Sequence, residues 1–192
     1  MGSRISFDSG PFDSVVFSVS QENIYSRGPY FFIYIFAYFI YCSEMWNQLD
    51  GLTGLLNQNS FLNRSEEMNY TNGMLIVFDL DDLKHVNDVF GHIKGDLCLS
   101  IIADCIKKAY AEYGYCYRVG GDEFFVLLKN SRIEEACTSQ FESFIEKKRK
   151  KYNYLPSVFY GSALLLTGDI VSVKDLADQN MYLNKKKHKQ QQ

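Results

Sequence analysis

Apolar runs and polar breaks along this chain alternate between the strand period and the helix period. Met74-Leu75-Ile76-Val77-Phe78 is an unbroken apolar run, the pattern of a strand buried on both faces, and the turn Thr71-Asn72-Gly73 precedes it. Tyr115-Cys116-Tyr117 and Phe124–Leu128 flank a pair of glycines and predict a hairpin that turns at Gly120 and Gly121. Ser157–Leu166 predicts a further buried strand. Between these runs, apolar positions three and four apart predict helices. One passes through Phe61, Leu62 and Met68 behind a cap at Asn59 or Ser60, and a short amphipathic one covers Leu83–Phe90 behind an Asp cap. After a turn over Gly91–Asp96, another runs Leu97–Tyr110. Ser131 caps the next, whose stripe is Ile133, Ala136, Cys137, Phe141, Phe144 and Ile145, and the last runs from Ser172 through Lys185. Strands alternating with helices give an α/β fold with helices on both sides of a sheet.

The first 46 residues follow a different pattern. A polar stretch with breaks at Gly10-Pro11 and Gly28-Pro29 leads into residues 30–42, which are aromatic, apolar and free of charge. A bilayer core takes about 20 apolar residues, so this run is short for a free-standing span. Aromatic rings nevertheless fill every side of a helix drawn through it, leaving no polar face for water. Three readings stay open: a membrane-associated remnant, a dimerisation helix, or a helix packed on the core. The polar start lacks the basic and apolar regions of a cleavable signal peptide. Residues 1–46 are therefore expected to form an appendage and 47–192 the main domain.

Composition narrows the function. A chain of 192 residues with 46% apolar content can bury a sizeable core, and a net charge of -3 gives no overall nucleic-acid-binding surface. Lys147-Lys148-Arg149-Lys150-Lys151 complements a helix C-terminus. The cysteines Cys42, Cys98, Cys105, Cys116 and Cys137 form no CxxC or metal-ligand spacing, which suits a reduced cytosolic setting.

Candidate chemistry gathers at two acidic stretches. Gly120-Gly121-Asp122-Glu123 places two acids beside glycines that let a bulky ligand approach the backbone, and Asp79-Leu80-Asp81-Asp82 follows the first strand. Hard oxygens at a tight turn suit a metal-bound phosphate, while the bland alternative is a hairpin turn with solvated acids. Asp79 shares a metal with the hairpin acids if the two strands are neighbours.

The stretch Asp79–Asp96 resembles the DxDxFKxxNDxxGHxxGD signature of GGDEF-domain diguanylate cyclases, Gly120–Phe124 spells the motif that names the family, and Asp50–Asn57 is similar to its opening DxLTxLxN. Ala177–Lys185 resembles the family's last helix, so the likeness spans residues 47–189. It implies a central mixed β-sheet flanked by helices, nucleotidyl-cyclase-like, and the condensation of two GTP into cyclic di-GMP with release of two pyrophosphates. It implies Mg²⁺ or Mn²⁺ held by Asp79, the Leu80 carbonyl, Asp122 and Glu123, with Asp122 or Glu123 helping to deprotonate the 3′-hydroxyl and Asp81 either beside the metal or capping a helix. Asn87 and Asp96 match the guanine readers, Gly120 and Gly121 the glycines beside the phosphates, and Lys84 and Lys185 the phosphate lysines. Lys189 stands where the family carries an arginine, Gln58 also departs from an arginine, and the product-inhibition RxxD is replaced by Ala111-Glu112-Tyr113-Gly114. His92 fits the family's Gly-His pair as a packing or turn residue. The resemblance also pairs Asp50 with Arg118. One GTP per domain implies a homodimer for turnover, with the domain in the cytoplasm and residues 30–42 available to a membrane. The alternative is a catalytically silent GTP-binding module.

Overall fold

The computed structural model describes residues 24–67, 72–165 and 169–190, with the backbone alone at 24–29, 44–46, 66–67 and 189. The polar first 23 residues, Met68, Thr71, Leu166 and the Lys189 side chain lie outside the described residues. The chain divides between Asn47 and Gln48 into two units.

In the first unit, α1 (Ile24–Trp46) is a helix whose side chains from Tyr30 to Tyr41 are exposed all round, Phe32 to 72%. It runs through Gly28-Pro29, which the sequence pattern marked as a break. The proline nitrogen has no hydrogen to give the preceding turn, yet its fixed φ suits a helix. Among the described residues no helix is long and apolar enough to cross a membrane.

The second unit is a five-stranded sheet in the order β1-β3-β4-β2-β5, formed by β1 (Leu56–Asn57), β2 (Gly73–Asp81), β3 (Gly114–Arg118), β4 (Glu123–Leu128) and β5 (Ser157–Leu165). β1 lies parallel to β3, and every other neighbouring pair is antiparallel. The sheet is therefore mixed. The helices are α2 (Gln58–Glu67), α3 (Leu83–Phe90), α4 (His92–Tyr110), α5 (Glu134–Arg149) and α6 (Ile170–Lys189).

Strand alternation sends side chains of β2 to two cores. Ile76, Phe78 and Leu80 pack with Ile102, Ile106 and Tyr110 of α4 and Phe141 of α5. Phe78 is the hub, its ring centroid 5.2 Å from Phe141 and 5.8 Å from both Tyr110 and Tyr160. Leu75 and Val77 face the other way, with Phe61 of α2 and Val173 and Ala177 of α6. Full burial of each such side chain contributes about 1.5–3 kcal/mol, so both layers are firmly docked.

Several local expectations shift. β2 does not end at Phe78 but continues through Asp81, because β5 pairs along it as far as Asp81↔Ser157. Asp82 precedes α3 with φ 62° and makes no side-chain cap, its left-handed backbone departing from the extended geometry of a capping residue. α2 is capped from Asn57, whose Oδ1 accepts from Ser60 N at 3.0 Å, while Ser60 Oγ donates to Gln48 O. Asn130, not Ser131, caps the 3-10 turn that leads into α5. Asp169 starts α6 by accepting from Val171 N at 3.1 Å. Gly91, with φ 83°, is the single break between α3 and α4, so residues 92–96 are helical rather than a turn.

Candidate active site

Asp79 and Asp81 are alternate residues of β2 and project on the face that carries Leu75 and Val77, the face α6 covers. Register places Asp79 opposite Glu123, the first residue of β4, so these carboxylates form a cross-strand pair with Cβ atoms about 4.5–5.5 Å apart. Glu123 folds back over the glycine turn: a Cβ on Gly120 would lie 3.0 Å from Glu123 Oε2. The turn is closed by Val119 N and Gly120 N, which donate to Glu123 O at 3.1 and 3.4 Å. Asp122 sits one residue earlier, half-buried in the turn beside exposed Gly121.

Like charges gathered on one face repel, and Lys185 answers them from α6. Its Nζ donates to Asp81 Oδ1 at 2.8 Å and to Asp79 Oδ2 at 3.0 Å. Burial works to lower the pKa of this ammonium, but the hydrogen bonds and charges of Asp81 and Asp79 outweigh it and hold the group above its ordinary value. Asp178 also feels the cluster. Burial raises its carboxyl pKa, Lys174 opposes this, and Asp175 and Asp79 add to the rise.

Among the described residues no three His, Cys, Asp or Glu side chains form a ready-made metal cluster. The donor chemistry nevertheless suits a hard divalent ion: carboxylate oxygens converge from β2, and a lysine ammonium lies between two of them as a cation would. Mg²⁺ or Mn²⁺ fits that set, with the Leu80 carbonyl and the turn acids Asp122 and Glu123 as further oxygens at the same end of the sheet.

The glycine turn is anchored from behind. Arg118 Nη2 donates to Gly121 O at 2.8 Å, and Nη1 donates to Asp50 Oδ1 and Oδ2 at 3.1 and 3.3 Å. Asp50 also accepts from Thr53 N and Thr53 Oγ1 at 2.8 and 2.6 Å. Burial pushes the Asp50 pKa up, but the Thr53 hydrogen bonds and then Arg118 overcome it, so the carboxyl titrates below its ordinary value. The Asp50–Arg118 pair was legible in the sequence; the hold on the Gly121 carbonyl was not, because a main-chain acceptor leaves no residue-type signal.

On the other side of β2, Asn87 of α3 and Asp96 of α4 stand near one another through Gly95. A Cβ on Gly95 would lie 1.9 Å from Asn87 Oδ1, so the amide rests directly over the glycine. Asp96 is exposed and Asn87 half-buried. Lys84, on α3, is exposed, and so is His92 at the first residue of α4. Gly95 lies in the stretch whose sequence pattern predicts a turn, and its close approach to the Asn87 amide follows from the helix that forms there instead.

The family model described as "Diguanylate cyclase, GGDEF domain" matches residues 47–191. The chain belongs to this family. Among its relatives is the probable diguanylate cyclase DgcJ of Escherichia coli K12, 29% identical over 148 residues, covering 72% of this chain and 29% of the relative. Diguanylate cyclase DgcZ of the same organism is 35% identical over 104 residues, covering 52% of this chain and 35% of the relative. The chain thus spans about a third of the length of each. Of solved structures, the GGDEF domain of Caulobacter crescentus DgcB in complex with c-di-GMP matches with a TM-score of 0.62 and 26% identity, covering 72% of this chain and 90% of that one. The Pseudomonas aeruginosa diguanylate cyclase SiaD, solved with its activator SiaC, matches with a TM-score of 0.63 and 25% identity, over 84% and 67%. The mixed five-stranded sheet with its flanking helices is the fold of these GGDEF relatives.

Proposed function

We propose that this domain condenses two GTP molecules into cyclic di-GMP, releasing two pyrophosphates, in a homodimer that carries one GTP in each half-site. The observation that carries this is the gathering of Asp79, Asp81 and Glu123 on one face of the sheet, beside the Gly120-Gly121 turn and under Lys185. In this reading Asn87 and Asp96 bind the guanine edge: a carboxylate accepts from N1–H and the amino group, and an amide both donates to O6 and accepts. Gly120 and Gly121 let the phosphates come close to the main chain. Lys84, Lys185 and Lys189 neutralise phosphate charge as point cations. Asp79, the Leu80 carbonyl, Asp122 and Glu123 would hold a divalent cation, which when bound would supply neutralisation of phosphate charge and acidification of the 3′-hydroxyl. Asp122 or Glu123 takes the hydroxyl proton as the 3′-oxygen bonds to the α-phosphorus of the facing nucleotide and the bond to pyrophosphate breaks. A single domain holds only half of this arrangement, so the two reactants meet when two domains face one another.

We assign residues 30–42 to attachment at the inner face of a cell membrane. Their support is the uncharged aromatic surface of α1, exposed on every side, which suits the bilayer interface. Co-sedimentation with anionic vesicles tests it: retention of the full chain and loss on replacing Phe32, Phe36 and Phe39 by Ser is the supporting result.

For the catalytic reading, the full chain is incubated with GTP and Mg²⁺ while pyrophosphate and cyclic dinucleotide are followed. Two pyrophosphates per dinucleotide, abolished by Asp122→Ala, support the cyclase. Tight GTP binding without product, even in a dimer forced by cross-linking, overturns it in favour of a silent nucleotide-binding module.

A further inference from the structure

The position of Lys185 is built rather than incidental. α6 lies so close to β5 that a Cβ on Gly161 would stand 2.2 Å from Met181 N and 2.3 Å from Ala177 O. Asn180 and Asn184, one turn apart on α6, each donate Nδ2–H to a carbonyl of β5, Ser162 O at 2.9 Å and Tyr160 O at 3.1 Å. The residue after Asn184 is thereby aimed at the end of β2. The Phe159 ring, 5.5 Å from Nζ, faces the ammonium. With Lys185, Asp79 and Asp81 all a quarter exposed or less, the three charges meet out of full contact with water.

The Asp79 and Asp81 carboxylates lie on one strand face, with alternate residues roughly 7 Å apart along the strand, a spacing that one cation between them bridges. A divalent ion taking an Asp79 oxygen joins a carboxylate whose Oδ2 already accepts from the ammonium, and two positive charges at that spacing repel. We propose that Lys185 is a displaceable internal cation: it neutralises Asp79 and Asp81 until a metal takes Asp79, then leaves to contact phosphate. The inference rests on the reading of this face as a metal–nucleotide site. One consequence is an order of events. A bare divalent ion must expel the lysine into solvent, whereas a metal–triphosphate complex brings the anion that receives it, so metal and nucleotide bind together far better than metal alone.

The test uses the full chain without nucleotide. Mn²⁺ binding is titrated by the loss of the free-ion electron paramagnetic resonance signal for wild type, Lys185→Met and Lys186→Met. Lys186 removes the same charge one residue along, where its ammonium lies 4.5 Å from the Tyr182 ring and not between the acids. Lys185→Met is expected to tighten Mn²⁺ on the order of tenfold and Lys186→Met less than twofold. In parallel, acetylation of Lys185 in wild type by an amine-reactive ester, read by mass spectrometry, is expected to speed up several-fold at saturating Mn²⁺. Equal tightening by the two variants, unchanged Lys185 reactivity once Mn²⁺ is bound, or no Mn²⁺ binding by any form overturns the proposal. Neither readout involves turnover. A protein that makes no cyclic di-GMP yet exchanges lysine for metal keeps this inference and loses the cyclase reading; active enzyme without exchange does the reverse.

Discussion

Arg118 ties Asp50 to the glycine turn, one guanidinium nitrogen on the Asp50 carboxylate and the other on the Gly121 carbonyl. Because the Asp50 pKa is lower folded than unfolded, the stability it contributes is fully present above the ordinary carboxylate value of about 4 and is lost as pH falls through the lowered one. Arg118→Met strands the carboxylate and the carbonyl, and is expected to cost about 1–3 kcal/mol at pH 7. Urea unfolding of wild type and Asp50→Asn at pH 7 and pH 3 checks the sign: the gap between them narrows at the lower pH. A gap that widens in acid would show that the carboxylate is not the favoured form.

Gly161→Ala tests how tightly α6 is seated. The added methyl meets helix backbone, which cannot rotate away as a side-chain end can, so the helix has to shift. Overpacking of this kind costs about 1–3 kcal/mol. The expected drop in Tm is about 2–4 °C for each kcal/mol, and Lys185 moves off Asp79 and Asp81 with the helix. A thermal melt indistinguishable from wild type would mean the layer is loosely packed.

The parts of the fold that were legible are those with local signals. Two glycines between apolar runs mark the β3–β4 hairpin, and the five apolar residues from Met74 mark the heart of β2. β1 left no such mark, since Leu56 and Asn57 become a strand only by pairing with Tyr117 and Arg118. Asp79 and Asp81 read as residues beyond the strand because acids signal loops, whereas pairing with β5 and the lysine from α6 keeps them in it. The Lys185–Asp79 contact joins positions 106 apart, a distance over which periodicity says nothing. The family motifs named the residues of the candidate site; the register decided that Glu123, rather than Asp122, is the one opposite Asp79.

Thiol reactivity separates the two units. Burial raises the pKa of all four cysteines of the second unit, Cys105 to about 11 and Cys116 to about 12, with Cys98 and Cys137 also raised. The thiolate is the reactive form, so these groups are protonated and shielded at pH 8. Cys42 on α1 is only partly buried. A dithionitrobenzoate assay is expected to titrate one thiol per chain in the native state and all five in guanidinium. Rapid modification of two or more in native buffer would place a second thiol at the surface.

Gly95→Ala distinguishes a recognition role from a structural one. The methyl would overlap Asn87 Oδ1, the free end of a side chain, so the amide swings aside while the backbone of α3 and α4 stays in place. Replacing Gly by Ala inside a helix contributes up to about 1 kcal/mol of stability, which offsets the local crowding. The variant is therefore expected to melt at or slightly above the wild-type temperature. Its GTP affinity, measured by titration calorimetry with Mg²⁺, is expected to fall by about five- to thirtyfold, the worth of one or two misplaced hydrogen bonds to guanine. Unchanged GTP affinity in a fully folded Gly95→Ala protein would remove Asn87 from guanine recognition and leave Asp96 as the residue to test.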